Sequence, residues 1–588
     1  MKQLIRIGIS CMLFGGFFTL LKGQEVLNAK NLAKWEPVII NFKGPQASSA
    51  GNAPNPFLDY RLDVVFTGPS GKTYKVPGFY NGDGKGNNAG NIWTVRFAPD
   101  EVGKWSFQVL FKKGDKIAVD ANQKGSSVAF DGKRGKFQVD GVRKSAPGFY
   151  PLGRLQYVGK HYFKFADGGY WLKGGADSPE DLLGYVGFDN TPEATHKYEA
   201  HIRDWKPGDP DWGNGKGKAI IGALNYLASQ NVNSIYFLPM NIGGDGKNVW
   251  PFLGKVHRSG KPENDNLHYD VTKLSQWDTV FTHAQRKGLF LHFVLSEAEE
   301  RNKRELDNAE LGVERKLYYR EMIARFGYHL ALQWNICEEY NLQYDLTPDR
   351  VKQFAAYIQQ LDPYKHPVAV HHASKVDNIW PHFYDERLIQ VASFQTRKPD
   401  NVWIWRKKSA EAGNPQVIGL DELFPDVADE KNVSRYRREY IWPIYMAGGQ
   451  TELILAELLK TEDFRKYEGH WANLRHARSF FEGNLPFWEM HHMRGMMRGE
   501  DYYEGINGVC FSTVFAKPGE VYAVYFPRAR QTGELDLRGI SGSFTAKWYN
   551  PREGSFEGPE KRITGGDWVA LGEVPSKPEN DWVLLLKK

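Results

Sequence analysis

The chain has 588 residues, 41% of them hydrophobic and 25% charged, which excludes a disordered protein and calls for several domains. Its 76 basic and 70 acidic residues leave a net charge of +6, too weak a bias to indicate a nucleic-acid partner. Three cysteines exclude a disulfide scaffold.

Residues 1–23 read as a signal peptide. Lys2 and Arg6 form the basic start, Ile7–Leu21 is mostly apolar, and small Gly23 could precede a cleavage point. The run is short for a bilayer span, Cys11 lies too early in it for lipidation, and no other span follows. The expectation is an exported protein, secreted or periplasmic, with no membrane span.

Residues 24–145 alternate apolar and polar positions between turn signals. Arg61–Phe66, Tyr74–Val76, Trp93–Phe97 and Trp105–Val109 read as short strands, with a turn at Gly68-Pro69-Ser70-Gly71. Such strands without helical periodicity predict an Ig-like β-sandwich. The Gly- and Asn-rich stretch 81–91 matches neither a phosphate loop nor a calcium loop and reads as a plain turn.

Over 146–500 strands alternate with helices. A hairpin, His161–Phe165 and Tyr170–Lys173 about Asp167-Gly168-Gly169, is expected to deliver the first barrel strand. Helices are predicted at Ala219–Gln230, Val271–Lys287, Glu314–Tyr328, Pro348–Gln360, Val433–Met446 (kinked at Pro443) and Asp463–Phe481. Strands two to eight fall at Asn233–Leu238, Leu289–Leu295, the run beginning at Ala331, Pro367–Val370, Leu388–Ser393, Gln416–Leu420 and Thr451–Ala456. That alternation predicts a (β/α)8 barrel. Residues 501–588 return to β pattern, at Gly519–Phe526, Gly533–Leu537, Phe544–Tyr549 and Trp582–Leu586, and predict a second sandwich.

Two predicted barrel strands end in adjacent acids. Strand four runs into Cys337-Glu338-Glu339-Tyr340-Asn341, and strand seven into Asp421-Glu422. Their spacing is close to three βα units at roughly 31 residues each. Carboxylates at the C-terminal ends of barrel strands stand where such folds carry their chemistry, and a pair of them suits glycoside hydrolysis. Neighbours on a strand point to opposite faces, so one acid of each pair should face the pocket.

The two tips resemble those of clan A-type glycoside hydrolases from secreted bacterial proteins, whose strand four ends in Asn-Glu followed by Pro or Tyr. The resemblance implies Glu339 as acid/base and Glu422 as nucleophile of a retaining double displacement. Glu338 stands where relatives keep the Asn that binds the sugar 2-hydroxyl. Leu172–Glu180 and Tyr236–Gly246 are similar to a subgroup with an Ig-like module in front and a sandwich described as collagen-binding behind.

Further substrate-binding candidates are Glu338, Asp421, Asp177, Asn241, Asp245, Trp250, His292, His371 and Gln395. Trp403 and Trp405 read as sharing a strand face that lines a subsite or packs in the core. Arg397, Lys398 and Arg406 are candidates for meeting an acidic glycan. Glu297, Glu299, Glu300 and Arg301 read as a solvated loop. No metal is expected, because His371-His372 lacks the i, i+4 spacing of a zinc pair, and no phosphate-loop or dinucleotide motif calls for a cofactor. The expected partner is a polysaccharide or oligosaccharide; oligomeric state is not legible. The competing readings are a non-catalytic carbohydrate- or matrix-binding protein on the same scaffold, and a polysaccharide lyase.

Overall fold

A computed structural model describes residues 24–27, 32–120, 122–254, 264–344, 346–373, 375–422, 432–506 and 508–588. The stretch read as a signal peptide lies outside the described residues.

Eight parallel strands close a barrel in the middle of the chain: β1 (Gly174–Ala176), β2 (Ser234–Phe237), β3 (Phe290–Val294), β4 (Leu332–Asn335), β5 (Val368–His372), β6 (Val391–Gln395), β7 (Val417–Glu422) and β8 (Gln450–Leu453). The ring closes where Gly174 of β1 pairs with Thr451 of β8. Helix Val271–Lys287 shows how the outer layer forms. Asp270 caps its first turn by accepting from the Lys273 amide, and Gly288, at φ 78°, ends it in the left-handed region. Leu274, Trp277, Phe281 and Ala284 form its inward stripe.

The first strand begins later than the hairpin reading placed it. Trp171 still pairs its amide with the Phe163 carbonyl, but the barrel wall starts only at Gly174. The wall is crowded there: a Cβ on Gly175 would lie 2.6 Å from Ser234 Cβ and 2.7 Å from Glu452 Cγ. Strand eight is shorter than expected. The helix over 433–446 contains a π turn at Arg437–Ile441, immediately before Pro443, whose nitrogen has no hydrogen to donate.

Trp403 and Trp405 lie on helix Asp400–Glu411, not on a strand. Two positions apart on a helix they face different ways. Trp405 packs on Tyr384, and Trp403 stacks on His492.

β-rich regions flank the barrel. In front, a four-stranded and a five-stranded sheet face each other. Strand Gly103–Lys113 turns Trp105, Phe107, Val109 and Phe111 inward at period two. Asp83 closes the Gly/Asn-rich turn by accepting the amides of Lys85 and Asn87. Behind, a six-stranded sheet packs with a three-stranded one around Val524, Phe526, Trp548 and Trp582. Arg437 of the barrel reaches Asp581 of this region through two bonds of 2.7 and 2.9 Å, and Trp442 stacks on Tyr525.

Candidate active site at the barrel mouth

Polar side chains occupy the inside of the barrel and its C-terminal mouth in two tiers. The lower tier is inside the barrel. Lys173 donates to Asp421 at 2.6 Å and to Glu452 at 2.9 Å. Glu452 also accepts from Ser234 and from His292 Nδ1, and Ser393 donates to Asp421 at 2.8 Å. Asp421, Glu452 and His292 are 0% exposed. Burial opposes the charge of Glu452, but Lys173 and then His292 outweigh it and hold the carboxyl at about 2. Burial likewise opposes the Lys173 ammonium, and its two carboxylates raise it nonetheless. Asp421 and His292, expected to meet substrate, instead belong to this sealed network.

The upper tier is at the mouth. Glu338 accepts a 2.9 Å bond from Tyr236 OH. A nitrogen of His371 and one carboxylate oxygen each from Glu338 and Glu422 all lie within 4.8 Å of one another. The Gln395 amide is hydrogen-bonded to both Glu339 and Glu422. The backbone of Glu339 sits at φ 38°, a strained setting for a residue with a Cβ. Its amide points at His371 Nδ1, 3.3 Å away. His371 Nδ1 therefore accepts, and a neutral ring carries its hydrogen on Nε2, facing Glu422 Oε2 at 3.5 Å. Burial keeps His371 neutral by pushing its pKa well down.

The mouth carboxyls raise one another. Glu338 is pushed well above the usual range by burial and then by Glu180, Glu422 and Glu339. Burial, then Glu422 and Glu338, does the same to Asp177. Burial and the charge of Glu339 push Glu422 up to about 8. Glu339 is raised by burial, with Gln395 pulling the other way. Carboxyls that raise one another in this way resist being ionised together, and the two most buried, Asp177 and Glu338, are held furthest above the usual range.

Two other expected contacts, Asn241 and Trp250, are closed off by packing. Asn241 is 0% exposed and clamps the loop after β2 by accepting the amides of Asn248 and Val249. Trp250 is 0% exposed, with Lys273 over its ring, so neither face is open for stacking. Asp245 is exposed at the rim, its amide bonded to Glu297. Glu297 itself is 1% exposed rather than solvated. Arg406 is buried against Tyr162 and Phe515. Arg397 and Lys398 line a separate cavity of about 460 Å3 beside the C-terminal region, with His492 and Arg494.

Tyr236, Lys173 and Glu452 were not singled out from sequence. A signal was present for two of them: Lys173 and Glu452 each interrupt an apolar run, and a lone charge inside a buried strand needs a partner.

Residues 31–112 match a "Domain of unknown function (DUF5060)", and residues 507–587 match a "Putative collagen-binding domain of a collagenase". No curated protein matches the chain. Among solved structures, it is similar to a "putative glycoside hydrolase" from Bacteroides vulgatus ATCC 8482, with 15% identity and a TM-score of 0.62 over 95% of this chain and 99% of that one. A structure titled "Glycoside hydrolase" matches at 14% identity and TM-score 0.53, over 75% of this chain and 98% of that one. A family 5 glycoside hydrolase from Bacteroides vulgatus ATCC 8482 matches at 14% and 0.52, over 76% and 95%. The chain thus has a glycoside hydrolase-like fold: a central eight-stranded barrel between β-rich regions, the last of them of the collagen-binding description.

Proposed function

We propose that this protein is an exported glycoside hydrolase acting on a polysaccharide or oligosaccharide by a retaining double displacement. The observation that carries the reading is the meeting of the β4 and β7 acids at one mouth. Oxygens of Glu338 and Glu422 lie within 4.8 Å of each other, and Glu339 and Glu422 share the Gln395 amide. Retention needs its two catalytic carboxyl groups about 5–5.5 Å apart, and the Gln395 amide shared by Glu339 and Glu422 supports that pairing. Glu422 is the nucleophile: His371 Nε2–H and Gln395 both face its carboxylate and stabilise the anion that attacks. Glu339 is the acid/base, because it is the more open of the two strand-four acids and can exchange protons with a leaving group and then with water. Glu338, deeper and bonded to Tyr236, lines the sugar pocket. The basic start and apolar run of residues 1–23 support export.

The test is turnover on a polysaccharide panel, followed by aryl glycosides with good leaving groups. Glu422→Gln should abolish product from both. Glu339→Gln should lose activity on polysaccharide by about 100-fold or more yet form the glycosyl-enzyme from the aryl glycoside, and azide should restore its turnover. Azide rescue of Glu338→Gln instead would move the acid/base role to Glu338. Binding without product in the wild type would make the protein a carbohydrate-binding scaffold, and unsaturated ultraviolet-absorbing products would make it a lyase.

A further inference from the structure

The cavity of about 460 Å3 between the barrel and the C-terminal region is separate from the mouth carboxyls but close to them along the chain. Arg397 and Lys398, in its lining, follow Gln395 by two and three residues, a reach of at most about 7 and 11 Å. Gln395 is the residue whose amide joins Glu339 and Glu422. The cavity therefore lies beside the rim of the barrel, on the β6 side.

The C-terminal region forms its other wall. Arg494 stands there with its guanidinium 5.1 Å over the Trp403 ring. Lys398 and Arg494 are both exposed, and neither forms an ion pair among the described residues. Three acids share the lining, each with favourable surroundings of its own. Glu439 faces Arg435 at 3.4 Å, and Glu500 accepts from the Ser512 hydroxyl at 3.0 Å. Asp400 opens its helix, where the helix dipole favours a negative charge. The charge left without a counter-ion is that of Lys398 and Arg494.

Apolar surface continues from the same hollow. Phe511 is 58% exposed and Val509 51%, and the Tyr502 ring is 6.1 Å from that of Phe511. Thr513, also in the lining, has a buried hydroxyl without a hydrogen-bond partner. A pocket with an apolar platform and a few convergent donors suits a small ligand. Here an aromatic face can take the C–H face of a sugar ring, while an ammonium and a guanidinium take an anionic group on it.

We propose, resting on the glycosidase reading, that this cavity is a second glycan-binding site beside the cleavage site, for a stretch of chain bearing carboxylate or sulfate groups. Lys398 and Arg494 hold the anionic group, and Phe511 carries the ring. The C-terminal region is then one wall of a longer substrate cleft.

Binding needs no turnover, so the test is calorimetric titration of the full chain carrying Glu422→Gln. The probes are oligomers of galacturonate, of sulfated galactose and of neutral galactose, with oligoglutamate as an acidic peptide. An acidic oligosaccharide should bind more tightly than the neutral one and lose affinity as salt is added. The uronate and sulfate arms show which anionic group is held. Adding Lys398→Gln and Arg494→Gln together should weaken acidic binding about fivefold, and Phe511→Ala should weaken it too. All three side chains are exposed, so the unfolding midpoint without ligand should stay that of the parent. Unchanged acidic affinity in the double variant overturns the site, as does neutral binding equal to acidic, or oligoglutamate binding as tight as the glycans. If acidic glycans bind through these residues but the wild type cleaves no polysaccharide, the site stands and the hydrolase reading falls. If acidic chains are cleaved with a KM that the double variant leaves unchanged, the site falls and that reading stands.

Discussion

At the scale of single residues, no Lys or Arg among the described residues forms an ion pair with Glu338 or Glu422, and burial and neighbouring acids set their protonation. Glu422, pushed up to about 8 by burial and by Glu339, is protonated below that pH and is a nucleophile only above it. The acid limb of kcat/KM on an aryl glycoside should therefore lie well above the ordinary carboxylate range. Glu339→Gln removes the largest of the charges acting on Glu422, so it should move that limb to lower pH; a limb that stays in place would detach it from Glu422. In the tier below, Lys173 is the counter-charge for both Asp421 and Glu452. Lys173→Met leaves two buried carboxylates without it and should cost about 3–5 kcal/mol in denaturant unfolding. Adding Glu452→Gln should recover part of the loss, since the charge needing compensation is then smaller.

At the scale of elements, the loops after β1 and β8 are tied by one imidazole. His196 Nε2 meets Asp181 at 2.7 Å and Nδ1 meets Glu462 at 2.8 Å. Burial lowers its pKa, but the two carboxylates outweigh burial and raise it to about 9. A raised folded value means that the stabilisation is complete below the unfolded histidine value of about 6.5 and is lost as pH rises through the folded one. Amide exchange in residues 181–198 should therefore accelerate on going from pH 7 to above about 9, and His196→Gln should show fast exchange throughout. If exchange there follows only the intrinsic base-catalysed rate, the tie is not ionic. Gly174 and Gly175 belong to this scale too. They make β1 thin enough for the side chains of Glu452 and Arg478 to pass close to its backbone.

At the scale of the whole molecule, the barrel is joined to both flanking regions by buried charge. Arg320 donates to Asp63 at 2.8 Å in front, and Arg437 grips Asp581 behind. Burial raises Asp581, yet Arg437, with Arg438 and Arg552, pulls it below its ordinary value. A depressed carboxyl stabilises above the unfolded value of about 3.9 and loses that contribution as pH falls through the folded value. The C-terminal region should thus loosen in acid before the barrel unfolds. Calorimetry of Asp581→Asn should show an earlier, separate transition at neutral pH, while a single unchanged transition would mean that the apolar contact of Trp442 with Tyr525 carries the junction.

What the sequence determined by itself was periodicity and termination. Alternation at period two gave the strands of both flanking regions, an apolar stripe gave the helix Val271–Lys287, and acids closing apolar runs marked the mouth at Glu338-Glu339 and Asp421-Glu422. These are local properties, set by backbone geometry and by the cost of burying charge. Only the tertiary structure decided which acid faces which partner. Asp421 and Glu422 are neighbours in sequence, yet one is sealed against Lys173 and the other stands beside His371, because β7 shifts register against β6 at this point and both acids turn inward, one tier apart. Trp403 and Trp405 look like a strand alternation until the chain is seen to coil there. Trp250 and Asn241 look like contacts until packing shows them closed. Such outcomes rest on contacts between residues far apart in sequence, which no short window contains.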